Sequence, residues 1–232
     1  MQSRIKLSSS SHGMGDILLL TAVSKHLIAN NNKPIVFLPP KIKRFSILFD
    51  GLADVKIEDS QQYLLDIGNG HYTTRKLRNF FEDANLLDNR PLVLYSDKES
   101  EIWAENYLSN KKNPIIFVPH CAKQWHEVRS LKEDLQKKLL ENLKLDNLYP
   151  IICQSSSNPI SFEYENVLTD LDLNKYISLL RKVGVYIGCN TGDMHLAVAV
   201  GANCQVIQPQ NHPLFNEDEW NYKHPSIIYY QL

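Results

Sequence analysis

The chain alternates short apolar or β-branched runs with longer stretches whose apolar positions follow a helical period. Arg4 to Ser8 (RIKLS) predicts a strand and SSSHGMG a loop. From Asp16 to Ala29 the residues Ile17, Leu20, Val23, Leu27 and Ile28 keep the spacing of one helix. PIVFLPP predicts a second strand, Lys41 to Phe49 a short helix, ADVKIE and QYLLDIG strands or strand ends, and His71 to Leu87 a helix. PLVLY is the next strand, and Lys98 to Leu108 the next helix. Short strands separated by helices of this kind are stacked βαβ units, and they imply an α/β fold with parallel sheets and helices on both faces.

At Ser109 to Pro114 (SNKKNP) the pattern pauses in a polar, proline-ended stretch, after which IIFVP restarts it as RIKLS began it. The pause divides the chain into an N-terminal domain, 1–110, and a C-terminal domain, 111–232. The second half runs through a strand at Ile115 to Val118, a loop (PHCAKQWHEV), a helix from Leu131 to Leu143 and the strand YPIICQ. A short strand at Asn166 to Leu168 and a helix from Asn174 to Lys182 follow. The strand VGVYIG, a helix from Gly192 to Val200, the strand CQVIQ and a terminal IIYYQL close the chain.

Composition narrows the picture. With 232 residues, 43% of them hydrophobic, the chain can fill one large core or two of ordinary size. Its 25 basic residues balance 26 acidic ones, so its overall field does not by itself suggest a duplex nucleic-acid binder or a polybasic membrane anchor. Cys121, Cys153, Cys189 and Cys204 form no CxxC pair and sit in or beside apolar runs, as reduced core thiols do. The first residues hold too short an apolar segment for a signal peptide, and no run approaches the roughly twenty residues of a membrane span. The expectation is a soluble, cytoplasmic protein.

Three stretches carry candidate chemistry. Gly13-Met14-Gly15-Asp16 follows a strand and opens a helix; its glycines leave room above a sheet edge, and the helix dipole favours an ionised Asp16. Asp16 is either a general base facing a cleft or an N-cap, and the loop lacks the G-x-G-x-x-G fingerprint of dinucleotide binding. Lys123, with Trp125 nearby, lies beyond the strand that opens the second half, where a lysine can meet a phosphate; most loop lysines are simply solvated. The third stretch, VGVYIGCNTGDMHLAVAVG, puts Asn190, Thr191 and Gly192 between a strand and a helix, where free N–H groups cradle anions, with His195 on the same first turn. An ordinary helix cap with an internally bonded His195 explains the stretch equally well. Asp193 brings a negative charge to that turn and counts against an anion there.

In combination and in this order, GMGDILLLTAV, KQW and GCNTGDMHLAVAVG resemble the heptosyltransferase-like glycosyltransferases of family 9, over nearly the whole chain. The resemblance implies the arrangement of two-domain GT-B enzymes, in which two Rossmann-like domains face each other, the first taking the acceptor and the second the nucleotide-sugar. It implies that Asp16, on the acceptor-side loop with Gly13 and Gly15, deprotonates the acceptor hydroxyl. Lys123 then meets the donor phosphate, and Asn190, Thr191, Gly192 and His195 match the element at the pyrophosphate. The chain departs from the family at Asn190, where an acidic residue is usual, and at Gln124-Trp125-His126, where Arg-Trp-Pro is usual. It also departs at Gln154-Ser155-Ser156-Ser157, where an acidic residue for the donor ribose is usual.

The activity so implied is inverting, metal-independent transfer of a heptose or other hexose-like sugar from a nucleotide-diphosphate sugar to an acceptor hydroxyl, as in lipopolysaccharide or other glycan synthesis. The nucleotide-sugar is a co-substrate, and no further cofactor or metal is called for. The acceptor is a glycan or another hydroxyl compound, with peripheral membrane contact if that acceptor is lipid-linked. Two other readings stand beside it. One is a non-catalytic nucleotide-sugar-binding protein, motivated by the departures above. The other is a phage-type glycosyltransferase acting on modified nucleic-acid bases, for which Lys41, Lys43, Arg44, Arg75, Lys76 and Arg78 are a basic but less favoured acceptor face.

Overall fold

The computed structural model describes residues 4–8, 13–58, 65–66, 95–121, 129–208 and 224–231. The predicted helix His71–Leu87 and strand PLVLY lie outside them, apart from Tyr95, the last residue of that strand. The chain forms two compact units, 1–95 and 96–232.

In the first unit the described strands are β1 (Arg4–Ser8), β2 (Lys33–Leu38), β3 (Asp54–Ile57) and β4 (Leu65–Asp66). They pair in parallel in the order β3-β2-β1-β4. Helix α1 (Met14–Ala29) follows β1 and is buried on all sides from Ile17 to Ser24, with Ile17, Leu18, Leu20 and Val23 wholly buried, before Lys25 and Ile28 emerge toward its end. The stretch predicted as a short helix is a 3-10 segment, Pro40–Phe49, bent at Ile42 (φ −118°, ψ 18°). It buries Ile42, Phe45, Leu48 and Phe49 and leaves Lys41, Lys43 and Arg44 exposed.

The second unit begins with α2 (Lys98–Leu108), a helix that the sequence assigns to the first half. Glu101 on α2 accepts from Arg181 at 3.0 Å and from Ser178 at 3.3 Å, and it pairs with Lys182 at 3.2 Å. These three residues lie on α4 (Leu173–Val183), so α2 packs against α4 and the boundary falls at Tyr95/Ser96 rather than at the polar pause after residue 110. The pause is merely the turn from α2 into the next strand. Asp97 caps α2 by accepting from Ser100 N, and Asp172 caps α4 by accepting from Asn174 N and Lys175 N. Gly184, at φ 68°, ends α4 in the left-handed conformation that releases the chain into the next strand.

Six parallel strands build the second sheet. They are β5 (Pro114–Val118), β6 (Tyr149–Gln154), β7 (Val167–Thr169), β8 (Val185–Cys189), β9 (Asn203–Gln208) and β10 (Ile227–Gln231), in the order β10-β9-β8-β5-β6-β7. Ile115 and Phe117 on one side of β5 and Ile116 and Val118 on the other are all at most 3% exposed, so both faces of the sheet are covered. Helix α3 (Glu133–Leu145) closes one face, where Leu140 joins Ile115, Phe117, Ile152, Ile187 and Ile207. Helix α5 (Gly192–Ala199) follows β8 and buries Met194 and every residue from Leu196 to Ala199. All four cysteines are free and buried, as the apolar runs around them predict. Among the described residues no helix is long and apolar enough to cross a membrane.

Candidate functional site

Both sheets reverse their winding beside the first strand of their unit. In the second unit β5 leads to β6 and β7 on one side, and the chain then crosses to β8, β9 and β10 on the other. In the first unit β1 lies between β2 and β4. At such a reversal the crossover helices diverge to opposite faces and open a crevice at the carboxyl ends of the strands, where open α/β sheets bind ligands. The two glycine-bearing joints singled out in the sequence occupy these places. Gly13, Gly15 and Asp16 lie where β1 gives way to α1, and Asn190, Thr191 and Gly192 lie where β8 gives way to α5.

The β8–α5 joint is tightly built. Gly188 faces β5 so closely that a Cβ there would stand 2.3 Å from the Val118 carbonyl oxygen. Cys189 Sγ donates to Pro119 O at 3.0 Å. Asn190 is nine-tenths buried and, just beyond it, Thr191 caps α5. The Thr191 hydroxyl accepts from Asp193 N at 3.2 Å and donates to Asp193 Oδ2 at 3.1 Å. The helix cap that explains the stretch equally well is therefore present, and the Thr191 hydroxyl proton is turned toward Asp193. The first turn still presents the Gly192 and Met194 N–H groups, which the helix itself leaves without intrahelical acceptors.

Asp193, expected to oppose an anion, faces inward instead. The Tyr176 hydroxyl lies beside its carboxyl, short of a closed hydrogen bond. Burial raises this carboxyl above its ordinary value, with the Thr191 hydroxyl and Tyr176 opposing the rise. Burial also raises the phenols of Tyr176 and Tyr186, and the carboxyl beside them adds to it. A raised carboxyl in the folded state means that folding takes up protons, so stability falls as pH rises from about 3.8, the ordinary value, through the raised one. Asp193→Asn is expected to be more stable than the parent at neutral pH, with the advantage shrinking to nothing as pH drops below the ordinary value. Urea midpoints across that range check this, and an advantage independent of pH would sink it.

His195 sits four residues after Thr191, and its amide donates to Thr191 O at 3.3 Å. Desolvation pushes its imidazole down to about 4, and the Arg129 guanidinium nearby adds to the effect. At neutral pH it is an uncharged ring beside a fixed cation. The same guanidinium acts on the Cys121 thiol, so Arg129 lies within electrostatic reach of both the end of β5 and α5. Nothing in the apolar periodicity marks Arg129; its signal is only that it ends the loop beyond β5. Lys123, with Gln124, Trp125 and His126, lies outside the described residues.

The two ends of that loop are tied together. Leu131 N donates to Pro119 O at 2.9 Å, and Cys121 N donates to Ser130 Oγ at 3.0 Å. The Gln136 amide donates to Leu131 O at 2.6 Å and to His120 Nε2 at 2.8 Å, which leaves the His120 Nδ1–H to donate to Asn158 O at 3.2 Å. Asn158 in turn donates to Cys121 O at 2.8 Å. This chain of bonds couples the loop after β5 to the one after β6.

In the first unit Gly13 is the N-cap of α1, with extended backbone (φ −69°, ψ 142°), and Ile17 N donates to its carbonyl at 3.1 Å. Asp16 is the third residue of the helix and is therefore not its N-cap, which removes the plainer of the two roles considered for it.

No family model and no curated protein sequence matches the chain. Solved structures do. A glycosyl transferase family 9 protein from Veillonella parvula superposes with a TM-score of 0.72 at 11% identity, over 100% of this chain and 88% of that one. The ADP-heptose LPS heptosyltransferase II of E. coli gives 0.63 at 11%, over 100% and 91%. The E. coli heptosyltransferase WaaC, with ADP-2-deoxy-2-fluoro heptose, gives 0.61 at 11%, over 98% and 92%. The chain thus shares an α/β fold of parallel sheets with a family 9 glycosyltransferase and heptosyltransferases.

Proposed function

We propose that the chain is an inverting, metal-independent family 9 glycosyltransferase that moves a heptose or other hexose-like sugar from a nucleotide-diphosphate sugar to an acceptor hydroxyl in glycan synthesis. The donor binds the second unit and the acceptor the first. The observation that carries the reading is the start of α5: a helix N-terminus at the sheet's reversal, beside a guanidinium, with its one acidic side chain turned inward. A diphosphate fits that setting. The Gly192 and Met194 amides, Arg129 and Lys123 hold its charge.

Asp16 takes the acceptor's hydroxyl proton while the acceptor oxygen bonds to the anomeric carbon from the face opposite the phosphate. The bond from that carbon to the phosphate oxygen breaks, and the nucleoside diphosphate leaves with its electron pair. The fixed positive groups at α5 stabilise the charge that grows on the leaving group, the interaction that usually contributes most to catalysis. His195, uncharged, lines the same turn. The nucleotide-sugar is consumed as a substrate, and no other cofactor takes part.

A thermal-shift screen with ADP-, GDP-, UDP- and CMP-sugars tests the donor assignment. A ligand at a hundred times its Kd adds about 2.7 kcal/mol to the folded state, a shift of several degrees for a chain of this size. One nucleotide series is expected to raise the melting temperature, and no shift with any of the four overturns the reading. The commitment of the Thr191 hydroxyl to Asp193, together with Asn190 in place of an acid, favours one rival: a protein that holds nucleotide-sugar without transferring it. Slow hydrolysis of the bound donor counts against that rival, and binding without turnover on any acceptor supports it.

A further inference from the structure

A buried phenol beside the α5 joint has nothing to donate to. Tyr176, the fourth residue of α4, is 7% exposed, and its hydroxyl has no hydrogen-bond partner among the described residues. Buried polar groups in folded proteins are nearly always paired, so an orphan of this kind calls for a reason. The phenol lies beside the Asp193 carboxyl of α5 without closing on it. That carboxyl is served by Thr191 instead, whose hydroxyl donates to Oδ2 at 3.1 Å while accepting from Asp193 N at 3.2 Å. The second phenol near the carboxyl, Tyr186 on β8, is already spent, since it donates to Cys189 O at 2.8 Å. One carboxyl thus has two hydroxyls at hand, one from the cap of α5 and one from α4, and only the first is engaged.

The two hydroxyls are not equivalent, because Thr191 also stands at the start of α5, where the donor's diphosphate is assigned. Its hydroxyl carries a single hydrogen. Turning that hydrogen toward a phosphate oxygen leaves the cap bond from Asp193 N intact, because that bond uses a lone pair of the Thr191 oxygen. It also strips the carboxyl of its donor, and a carboxylate left unpaired in a buried setting is costly. The Tyr176 hydroxyl is placed to take over. We infer that Tyr176 is a positioning residue of the donor site: when a diphosphate binds, its hydroxyl replaces that of Thr191 on Asp193 and releases the Thr191 hydrogen to the phosphate. The inference rests on the donor reading above, and it gives the unpaired phenol its reason.

Titration calorimetry of the full chain with ADP, GDP, UDP, CDP and inorganic pyrophosphate, read beside thermal melts without ligand, tests it. Tyr176→Phe is expected to bind the preferred nucleotide and pyrophosphate about tenfold more weakly, the worth of one hydrogen bond to a charged group. Its melting temperature without ligand is expected to equal or exceed the parent's, since the only group lost is a buried hydroxyl that makes no hydrogen bond. In an Asp193→Ala or a Thr191→Val background, neither of which leaves a Thr191–Asp193 bond to exchange, the same substitution is expected to change affinity less than about twofold, a failure of additivity that marks the coupling. A loss that persists in full in those backgrounds overturns the inference, because the phenol would then act by another route. A loss of affinity accompanied by a lower melting temperature overturns it too, because Tyr176 would then be holding α4 against α5. Equal binding by Tyr176→Phe and the parent sinks this inference alone; if neither nucleotides nor pyrophosphate bind the parent, the donor reading falls and takes it along.

Discussion

Gly188→Ala is expected to lower the melting temperature by about 10 °C or to prevent the second unit from folding at all. The added methyl carbon would lie 2.3 Å from Val118 O, 2.9 Å from Val118 C and 3.0 Å from Val118 N. All three are backbone atoms, so no side chain can rotate away. Relief requires β8 to move off β5, yet Val118 pairs with Gly188 in the middle of the six-stranded sheet, with β9 and β6 on either side. Overpacking of a well-packed core costs roughly 1–3 kcal/mol where side chains can yield, and more where they cannot. About 3–5 kcal/mol is the scale expected here, and for a chain of this length each kcal/mol moves the transition by about 2–4 °C. Gly184→Ala is the matched control: it meets no atom within 4 Å and its penalty is only the positive φ of 68°, about 1–3 kcal/mol. A Gly188→Ala protein that melts within a degree or two of the parent would show that β8 can separate from β5, and it would remove the reason for a glycine at this strand end.

The contrast between those two glycines shows what the sequence can and cannot convey. The runs RIKLS, IIFVP and VGVYIG are legible as strands because burial on both faces leaves them almost wholly apolar, and α1 is legible because its apolar spacing is unbroken. Which strand neighbours which is not legible in that way. Nothing in the local pattern states that β8 lies against β5, so the purpose of Gly188 appears only with the sheet order. The same holds for Tyr176, which lies beside the Asp193 carboxyl from another helix after a separation in sequence that no spacing rule covers. Arg129 is another such case, since its effect on His195 crosses from the loop after β5 to the helix after β8. The pause at Ser109–Pro114 misled for a related reason: polar turns punctuate elements as well as domains, and the allegiance of α2 was decided by Glu101 meeting Arg181 and Lys182. For Asp193 the sequence shows a negative charge in the first turn and not its direction: a carboxylate there can face a ligand or turn to its own cap. Here it does the latter.

Asp16→Ala is expected to reduce sugar transfer by two to four orders of magnitude while leaving the affinity for the nucleotide unchanged. Asp16 stands at the third position of α1, directly beyond β1, and in the proposed reaction it is the group that accepts the acceptor's proton. Proton removal by a positioned base contributes roughly 10²–10⁴ to a rate, which sets the scale of the loss. The donor is assigned to the other unit, around α5, so Kd measured with the nucleotide alone serves as an internal check that the variant is folded and loaded. Because the helix is capped at Gly13 rather than at Asp16, losing the side chain removes no N-cap, and stability is expected to change by less than about 1 kcal/mol. Asp16→Asn sharpens the test: it keeps the size and polarity of the side chain but cannot take the proton, so its rate should fall as far as that of the alanine variant. Transfer within tenfold of the parent in either variant would remove Asp16 from the chemistry. A fall in rate accompanied by an equal fall in nucleotide affinity would place the residue with the donor instead and reverse the assignment of the two units.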